Sequence, residues 1–253
     1  MKLSVATRGI GRDLVLLHGW GAGMHVWDGL TAELERAFRL HLVDLPGYGA
    51  SELCTPYTLD ALAKAVAEAC PSPVAVCGWS LGAQVALAWA LARPAQVSHL
   101  VLIAATPRFM AGGGWAHGVT AETFAAFERG LVEDAAATLA RFIALEALDD
   151  AKRAAVTRAL RSAAESAPAG ATLAGGLDIL RTTDLRLRLP EVRQPALLVH
   201  GARDHVTPPA ASAALASALP RAQRTLVADA GHAPFLAREA DTARAITDFL
   251  RDE

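Results

Sequence analysis

The segment Gly78–Gly82 places a serine between two glycines, after the apolar run Pro73–Cys77 and before the apolar stretch Ala83–Ala92. This is the strand–turn–helix context of a G-x-S-x-G motif. A serine at the tip of such a sharp turn has a strained backbone, and the flanking glycines let neighbouring elements approach closely. The following helix directs its free N–H groups towards the same space. The pattern predicts a nucleophile at Ser80, provided that suitable partners lie elsewhere in the chain.

Short apolar strand-like runs alternate with helix-like stretches on both sides of this motif. Repeated β–α units imply a mostly parallel sheet with helices on both faces, so the predicted fold class is α/β. The predicted strands are Asp13–Leu17, Arg39–Val43, Val74–Cys77, Leu100–Ala104, Ala196–Val199 and Arg224–Ala228. The predicted helices around them are Val26–Arg36, Leu59–Ala69, the stretch that starts at Ser80, Pro209–Leu219 and Asp241–Arg251.

This alternation stops between residues 107 and 189, where Ala-rich helical stretches follow one another and no clear strand is predicted. An all-helical insertion between two β–α blocks is typical of a lid above the carboxyl ends of the strands, the edge where α/β sheets bind ligands. We predict a core of residues 1–106 and 190–253 and a helical cap of residues 107–189. The predicted cap helices are Ala121–Glu133, Ala135–Ala147 and Ala151–Glu165.

Two polar residues follow the last two predicted strands, in the order that a serine triad on this architecture requires. Asp204 follows the strand before last, and His232 follows the last one. We assign His232 as the base that takes the Ser80 proton and later protonates the leaving group. We assign Asp204 as the acid that holds the imidazole tautomer and stabilises the imidazolium. Asp229 is a disfavoured alternative acid, because the chain would have to fold back on itself within three residues.

The loop that follows the first predicted strand, His18–Gly21, is a candidate for half of an oxyanion hole. Such a hole takes one N–H from the residue after the nucleophile, here Leu81, and another from an early strand–helix loop, for which Trp20 is our candidate. Each donor typically contributes about 3 kcal/mol to the stability of the transition state. We expect the Trp20 indole to form an apolar wall beside the acyl group, with simple core packing as the alternative.

Composition and charge exclude several classes of protein. The chain has 253 residues, a formal net charge of −2 and 53% hydrophobic residues, which argues against a nucleic-acid surface and for a sizeable core. Neither a secretion signal nor a run of about 18 apolar residues for a membrane span is expected. The odd number of cysteines (Cys54, Cys70 and Cys77) fits reduced thiols in a cytoplasm, with Cys77 as a buried strand residue.

No metal site is expected, because the histidines and cysteines lack metal-ligand spacing. His18 is interpreted as a hydrogen-bonded scaffold residue near the site, and His205 as a loop neighbour of Asp204. His200 is assigned no role.

Five segments together resemble the α/β-hydrolase superfamily over almost the whole chain: Leu16–Gly21, Val43–Ser51, Gly78–Gly82, Gly201–Asp204 and Gly231–Phe235. Within it, these segments and the cap segment Gly175–Arg186 (GGLDILRTTDLR) resemble the pimeloyl-acyl-carrier-protein methyl ester carboxylesterases of biotin synthesis. That family hydrolyses the methyl ester that caps a pimeloyl chain on its carrier protein. The released carboxylate ends elongation and commits the chain to biotin.

The resemblance implies a cofactor-free triad and a substrate site shared by the core and the cap. The triad would be Ser80, Asp204 and His232, with Trp20 and Leu81 at the ester end. The acyl channel would be lined by Phe142, Ile143, Ala144, Leu145 and Glu146, a segment that by itself is an ordinary amphipathic helix turn.

A carrier protein is acidic, so we expect a basic docking surface on the predicted cap. Four positive residues lie between Ala151 and Ala164 without an acidic one, and a fifth is on the neighbouring helix; they are Lys152, Arg153, Arg158, Arg161 and Arg141. A solvated helix face is the alternative interpretation. We expect a monomer that binds neither nucleic acid nor membrane.

Other functions remain open on the sequence. The alternatives are a broad short-chain carboxylesterase or a perhydrolase, either without a carrier partner, and a non-catalytic small-molecule receptor. Dehalogenation through an aspartate nucleophile is disfavoured, because a serine occupies position 80.

Overall fold

The structure, a computed structural model, describes residues 1–164 and 170–251 and is built around a seven-stranded sheet. The strand order is β1-β3-β2-β4-β5-β6-β7, in which β1 is antiparallel to β3 and every other neighbouring pair is parallel. This confirms the predicted α/β class. The strands are β1 (Val5–Arg8), β2 (Arg12–Leu17), β3 (Phe38–Val43), β4 (Val74–Trp79), β5 (Val97–Ile103), β6 (Ala196–Gly201) and β7 (Ala222–Val227).

The central strands are buried on both faces. All six residues of β4 and of β6 are buried, and so are the last four of β2. Continuous apolar runs of this kind are characteristic of parallel strands covered by helices. The sequence analysis missed β1, because this antiparallel edge strand is only half-buried and carries no apolar run.

Helices cover both faces of the sheet, because some connections between its strands run towards one edge of the sheet and others towards the opposite edge. The connection from β2 to β3 crosses the sheet in the opposite direction to those from β3 to β4, β4 to β5 and β6 to β7. Right-handed crossovers then place α1 on one face and α2, α3 and α8 on the other. Here α10 packs against α1, and α2 packs against α3. These helices, with the short α9, are α1 (Asp28–Leu34), α2 (Leu59–Ala69), α3 (Leu81–Ala92), α8 (Pro209–Ala218), α9 (Pro234–Ala237) and α10 (Glu239–Arg251).

Within residues 1–164 and 170–251, four further α-helices lie between β5 and β6, and we call them the inserted helices. They are α4 (Ala121–Glu133), α5 (Ala135–Glu146), α6 (Arg153–Ala164) and α7 (Gly170–Thr182). The first three confirm predicted helices, although Glu165, the predicted end of the third, lies outside the described residues. The two ends of the insertion are joined, because Arg108 forms an ion pair with Asp184 (2.6 Å) and Leu185 N–H donates to the Pro107 carbonyl (2.9 Å). The division into core and cap stays a prediction.

Most predicted elements begin or end one to three residues away from those of the structure, and in two of them the backbone leaves its regular conformation. Ala104 was predicted as the end of a strand, but its φ is 48° and β5 ends one residue earlier, at Ile103. The predicted helix Val26–Arg36 is a 3₁₀ turn, Met24–Trp27, followed by α1.

Candidate active site

Ser80 lies half-buried on the turn between β4 and α3, with φ 54° and ψ −114°. This conformation costs a residue with a side chain about 1–3 kcal/mol, so the surrounding structure must hold it. The Ser80 N–H donates to the Ile103 carbonyl at the end of β5 (3.0 Å). The flanking glycines are required, because a Cβ at Gly78 would collide with the Gly82 carbonyl and a Cβ at Gly82 with the Leu17 carbonyl. The turn therefore has the strain and the close packing of a nucleophile elbow.

His232 and Asp204 form a buried hydrogen-bonded pair on the loops after β7 and β6. The distance from His232 Nδ1 to Asp204 Oδ2 is 2.8 Å, and the two residues are 0% and 5% exposed. Asp204 Oδ1 also accepts the N–H groups of Val206 (2.8 Å) and Thr207 (2.9 Å), and the Thr207 hydroxyl donates to Oδ2 (2.9 Å). A carboxylate acceptor at Nδ1 places the proton there and leaves the Nε2 lone pair to act as a base.

The charge on Asp204 is stabilised despite its burial. Burial alone would raise the pKa of Asp204, but the adjacent imidazoles of His232 and His200 hold that pKa below its ordinary value. His200 Nε2 lies 3.2 Å from Asp204 Oδ2. An ionised carboxylate in this low-dielectric position stabilises the imidazolium that forms when His232 accepts a proton.

The Nε2 atom of His232 is buried and makes no hydrogen bond to any residue that the structure describes, Ser80 included. Catalytic hydrogen bonds are often long or poorly aligned without substrate and tighten in the complex. An acceptor nitrogen in this position can take a proton from a serine hydroxyl when a substrate is bound.

Trp79 and Thr207, which hold His232 and Asp204, are functional residues that the sequence motifs do not indicate. The Trp79 indole N–H donates to the His232 carbonyl (2.9 Å), and its ring centroid lies 5.6 Å from that of the imidazole. Trp79 is the variable residue before the serine in the motif, and only its place at the carboxyl end of a buried strand could have indicated the contact. A Thr three residues after an Asp is a recognisable turn pattern that could have indicated Thr207.

The two predicted oxyanion donors lie on adjoining segments. Leu81 is the first residue of α3, so its N–H has no partner within the helix. Trp20 lies in the loop after β2, which His18 holds in place: Nδ1 bonds to the Gly19 carbonyl (2.8 Å), and Nε2 accepts the Leu45 N–H (3.0 Å). Burial lowers the pKa of His18, which keeps it neutral and able to accept at Nε2. These bonds confirm His18 as a scaffold residue.

The Trp20 indole connects this loop to an apolar cavity among the inserted helices. Its N–H donates to the Leu173 carbonyl on α7 (2.9 Å), and its ring lies edge-on to Phe127 (5.5 Å) and Phe142 (5.2 Å). Both phenylalanines line a cavity of about 110 Å³, whose other walls include Phe124, Leu145, Leu177 and Val206. The described lining residues do not include Ser80 or His232. The Trp20 side chain therefore links the candidate oxyanion loop to the cavity wall.

Only part of the predicted channel segment reaches this cavity. Phe142 and Leu145, three residues apart on one face of α5, line it. Ile143 and Glu146 are buried away from it, and Ala144 is not among its described lining residues. Burial, together with the nearby charge of Asp204, raises the pKa of Glu146 well above its usual value.

The predicted basic residues are all exposed; four lie on the inserted helices, and Lys152 lies just before α6. Arg158 and Arg161 line one shallow surface pocket on α6. Arg141 lies on α5 beside a second groove, whose lining includes Phe127, Phe142 and Leu145. Since these three residues also line the inner cavity, the groove and the cavity share a wall. Arg153 is the first residue of α6, and Lys152 precedes it.

Several alternative assignments have structural partners of their own. Asp229 forms an ion pair with Arg238 rather than bonding to the His232 ring. His205 directly follows Asp204 in its loop, and its Nε2 atom lies 2.8 Å from Asp149 Oδ2. Cys77 is fully buried in β4, as predicted, and burial raises the pKa of its thiol.

Residues 1–164 and 170–251 lack two features. No group of three His, Cys, Asp or Glu side chains there could hold a metal ion. Within the same ranges, none of the helices combines the length and the apolar character needed to cross a membrane.

Comparison with known proteins agrees with the observed fold. The model of the α/β-hydrolase fold family matches residues 14–239, and the chain belongs to that family. Among solved structures, an esterase from Exiguobacterium antarcticum superposes with a TM-score of 0.90 over 99% of this chain and 96% of that one, at 23% identity. A bromoperoxidase from Bacillus anthracis gives 0.88 over 99% and 95%, at 21% identity. These likenesses show the fold alone.

Similarity of sequence is higher to one particular kind of enzyme. The chain is 44% identical to a protein of Nitrosomonas europaea named pimeloyl-[acyl-carrier protein] methyl ester esterase, over 93% of this chain and 94% of the relative. It is also 44% identical to a protein of the same name from Aromatoleum aromaticum, over 94% and 98%. The GGLDIL segment of the inserted helices, Gly175–Leu180, forms part of α7.

Proposed function

We propose that the protein is a serine carboxylesterase that hydrolyses the methyl ester of pimeloyl-[acyl-carrier protein] methyl ester through an acyl-enzyme on Ser80. The observation that carries the chemistry is the buried Asp204–His232 hydrogen bond, which Trp79, the residue before the strained turn at Ser80, holds through the His232 carbonyl. The substrate is supported by the names of the relatives that match nearly the whole chain.

In the proposed reaction, His232 Nε2 takes the proton of the Ser80 hydroxyl as the oxygen attacks the ester carbonyl. The negative oxygen of the tetrahedral intermediate accepts the N–H groups of Leu81 and Trp20. When the intermediate collapses, His232 returns the proton to the departing methoxide and methanol leaves. Water, activated by the same imidazole, then attacks the acyl-enzyme and releases the carboxylate.

The apolar cavity supports a long methylene chain as the acyl part of the substrate. Its walls include three phenylalanines and three leucines of the inserted helices, and Trp20 joins those walls to the oxyanion loop. Burying a methylene in such surroundings contributes about 0.8 kcal/mol. We assign the inserted helices, within residues 107–189, as the cap that selects the chain.

The outer groove supports a carrier-bound rather than a free ester. It shares Phe127, Phe142 and Leu145 with the cavity, and Arg141 lies at its edge. We propose that the arm of an acidic carrier protein enters here. Arg153, Arg158 and Arg161 on α6 would then attract the carrier through long-range charge. A reaction on a carrier-bound intermediate implies a cytoplasmic enzyme, which we propose acts as a monomer.

The test is rescue of a biotin-requiring bacterial strain that lacks its own pimeloyl methyl ester esterase. We expect the wild-type chain to restore growth without biotin and Ser80→Ala to fail at equal expression. Purified protein should release methanol from the carrier-bound ester. Turnover of p-nitrophenyl butyrate without rescue would instead favour a broad short-chain esterase, and no turnover of either ester would contradict a hydrolase.

A further inference from the structure

The segment that carries His232 is bonded to the turn between α5 and α6, and we call this contact the junction. Three hydrogen bonds form it: His232 N–H to the Glu146 carbonyl (2.9 Å), Gly231 N–H to Asp150 Oδ2 (3.0 Å) and Ala151 N–H to the Asp229 carbonyl (2.9 Å). The first and third are bonds between backbone groups, which most residue types could make. The second depends on one side chain.

Asp150 is a buried acidic residue with two defined partners. It is 6% exposed, and while Oδ2 accepts the Gly231 N–H, Oδ1 accepts the Lys152 N–H (2.7 Å) at the start of α6. The two chains approach closely, since a Cβ at Gly231 would lie only 2.6 Å from the Glu146 carbonyl oxygen. A buried N–H that loses its acceptor must move or remain unsatisfied, so removal of this carboxylate would disturb the backbone beside His232.

We infer that Asp150 is a positioning residue for His232. The inference rests on the proposed function, since it takes His232 as the general base. The imidazole is fixed by Asp204 at Nδ1, and the Trp79 indole holds the His232 carbonyl. Asp150 supplies a further side-chain anchor, on the amino-terminal side of the histidine. A displacement of about 1 Å between a base and its nucleophile can lower the rate about 100-fold.

The junction also connects the histidine to the helix that lines the cavity. Phe142 and Leu145 face the cavity from α5, and the same helix ends at Glu146, whose carbonyl accepts the His232 N–H. Asp150 follows four residues later and holds the neighbouring Gly231. Displacement of this turn would therefore move the catalytic imidazole.

The test compares Asp150→Ala with Asp134→Ala, using a short p-nitrophenyl ester. Asp134 is a matched control: it caps the N-terminus of α5 by accepting the Ala137 N–H (2.9 Å), and it is exposed. We expect kcat of Asp150→Ala to fall by about 10- to 100-fold with little change in KM, because the base is displaced while the binding cavity remains. Asp134→Ala should keep the wild-type kcat. Asp150→Asn retains one acceptor oxygen for two N–H groups and should fall between wild type and Asp150→Ala.

A second measurement separates positioning from a general loss of structure. In folded Asp150→Ala, the low-field proton resonance of the His232–Asp204 hydrogen bond should shift or broaden, while Asp134→Ala should leave it unchanged. An unchanged kcat in Asp150→Ala, or an equal loss in both variants, would overturn the inference. A failure of the proposed function is distinguishable, because His232→Ala and Ser80→Ala would then retain activity whatever the result at Asp150.

Discussion

The backbone of Ser80 is stable only because its surroundings hold it. Its φ of 54° and ψ of −114° lie in a region that glycine enters freely and other residues avoid. The bond to the Ile103 carbonyl and the contact of Gly78 with Gly82 fix the turn. This backbone conformation presents the hydroxyl at the end of β4, but its strain lowers the stability of the folded protein. Two substitutions can distinguish the effect of the strain from the effect of the hydroxyl on catalysis.

Ser80→Ala and Ser80→Gly both remove the hydroxyl, and each should lower kcat by about 10⁴- to 10⁶-fold. Only glycine relieves the strain, so we expect Ser80→Gly to unfold with a free energy about 1 kcal/mol higher than Ser80→Ala, after allowing for its larger unfolded-state entropy. Thermal unfolding of the two inactive proteins measures the difference. An alanine variant as stable as the glycine variant would show that the turn is not strained.

The raised pKa of Glu146 predicts that the free energy of unfolding depends on pH. Its folded pKa is raised above the unfolded value, first by burial and then by the charge of Asp204. The protonated carboxyl is therefore favoured by folding, and stability that is fully present below the unfolded pKa is lost as the pH rises through the folded pKa. The glutamine of Glu146→Gln does not titrate. The free energy of unfolding of this variant, relative to that of the wild type, should therefore increase as the pH rises from the unfolded to the folded pKa of Glu146, by about 1.4 kcal/mol per unit of pKa shift. Denaturant unfolding from pH 4 to pH 9 measures this, and a constant difference would contradict it.

Among the elements, α7 shows best why some structure was not foreseen. Three glycines at positions 170, 175 and 176 lower its helix propensity, and the sequence analysis assigned it no helix. The helix forms because two of them allow close packing: a Cβ at Gly175 would lie 2.7 Å from the Tyr57 ring, and one at Gly176 would lie 2.6 Å from the Trp20 indole. Tertiary contacts of this kind are invisible to local propensity. By contrast, β2, β4 and β6 were predictable because long buried apolar runs identify them.

The packing of α7 predicts opposite effects for two similar substitutions. Gly176→Ala would push a methyl group into the Trp20 indole, so we expect a loss of about 1–3 kcal/mol in the free energy of unfolding and a lower kcat. Gly170→Ala is the control at the start of the same helix, where no described atom lies within 4 Å of the added Cβ. It should be neutral or stabilise the protein by up to about 1 kcal/mol. Melting temperatures and kcat of both variants give the comparison, and equal effects would argue against tight contact of α7 with Trp20.

Over the whole molecule, the sheet topology brings the candidate site together from distant parts of the chain. Parallel strands end at one edge, so residues after β4, β6 and β7 could be placed near each other from the sequence, and Asp204 does bond to His232. The supporting contacts of Trp79, Thr207 and Asp150 were not foreseen. The contacts of Trp79 and Asp150 join segments far apart in the chain, and no local pattern encodes such a meeting. Thr207 is different, because it lies three residues after Asp204 and a local turn pattern could have indicated it.

The distribution of charge gives the prediction that separates a carrier-bound ester from a small free one. Substitution of Arg153, Arg158 and Arg161 by Glu makes the α6 surface acidic. The triple variant should raise KM for an acyl-carrier ester about tenfold or more at low salt, because electrostatic steering changes association rates by about 10- to 1,000-fold. A short free ester should keep its KM in the same variant. Because charges are screened over about 10 Å at 0.1 M ionic strength, the difference should shrink as salt is added.

The matched control for that variant reverses three exposed arginines outside the inserted helices, Arg36, Arg221 and Arg244, and so changes the net charge by the same amount. If the carrier docks on α6, this control should affect the carrier-bound ester much less than the α6 variant does. Equal effects of the two variants would mean that only net charge matters. A rise in KM for both esters in the α6 variant would place its effect at the cavity rather than at a docking surface, because only the carrier-bound ester brings an acidic protein to that surface.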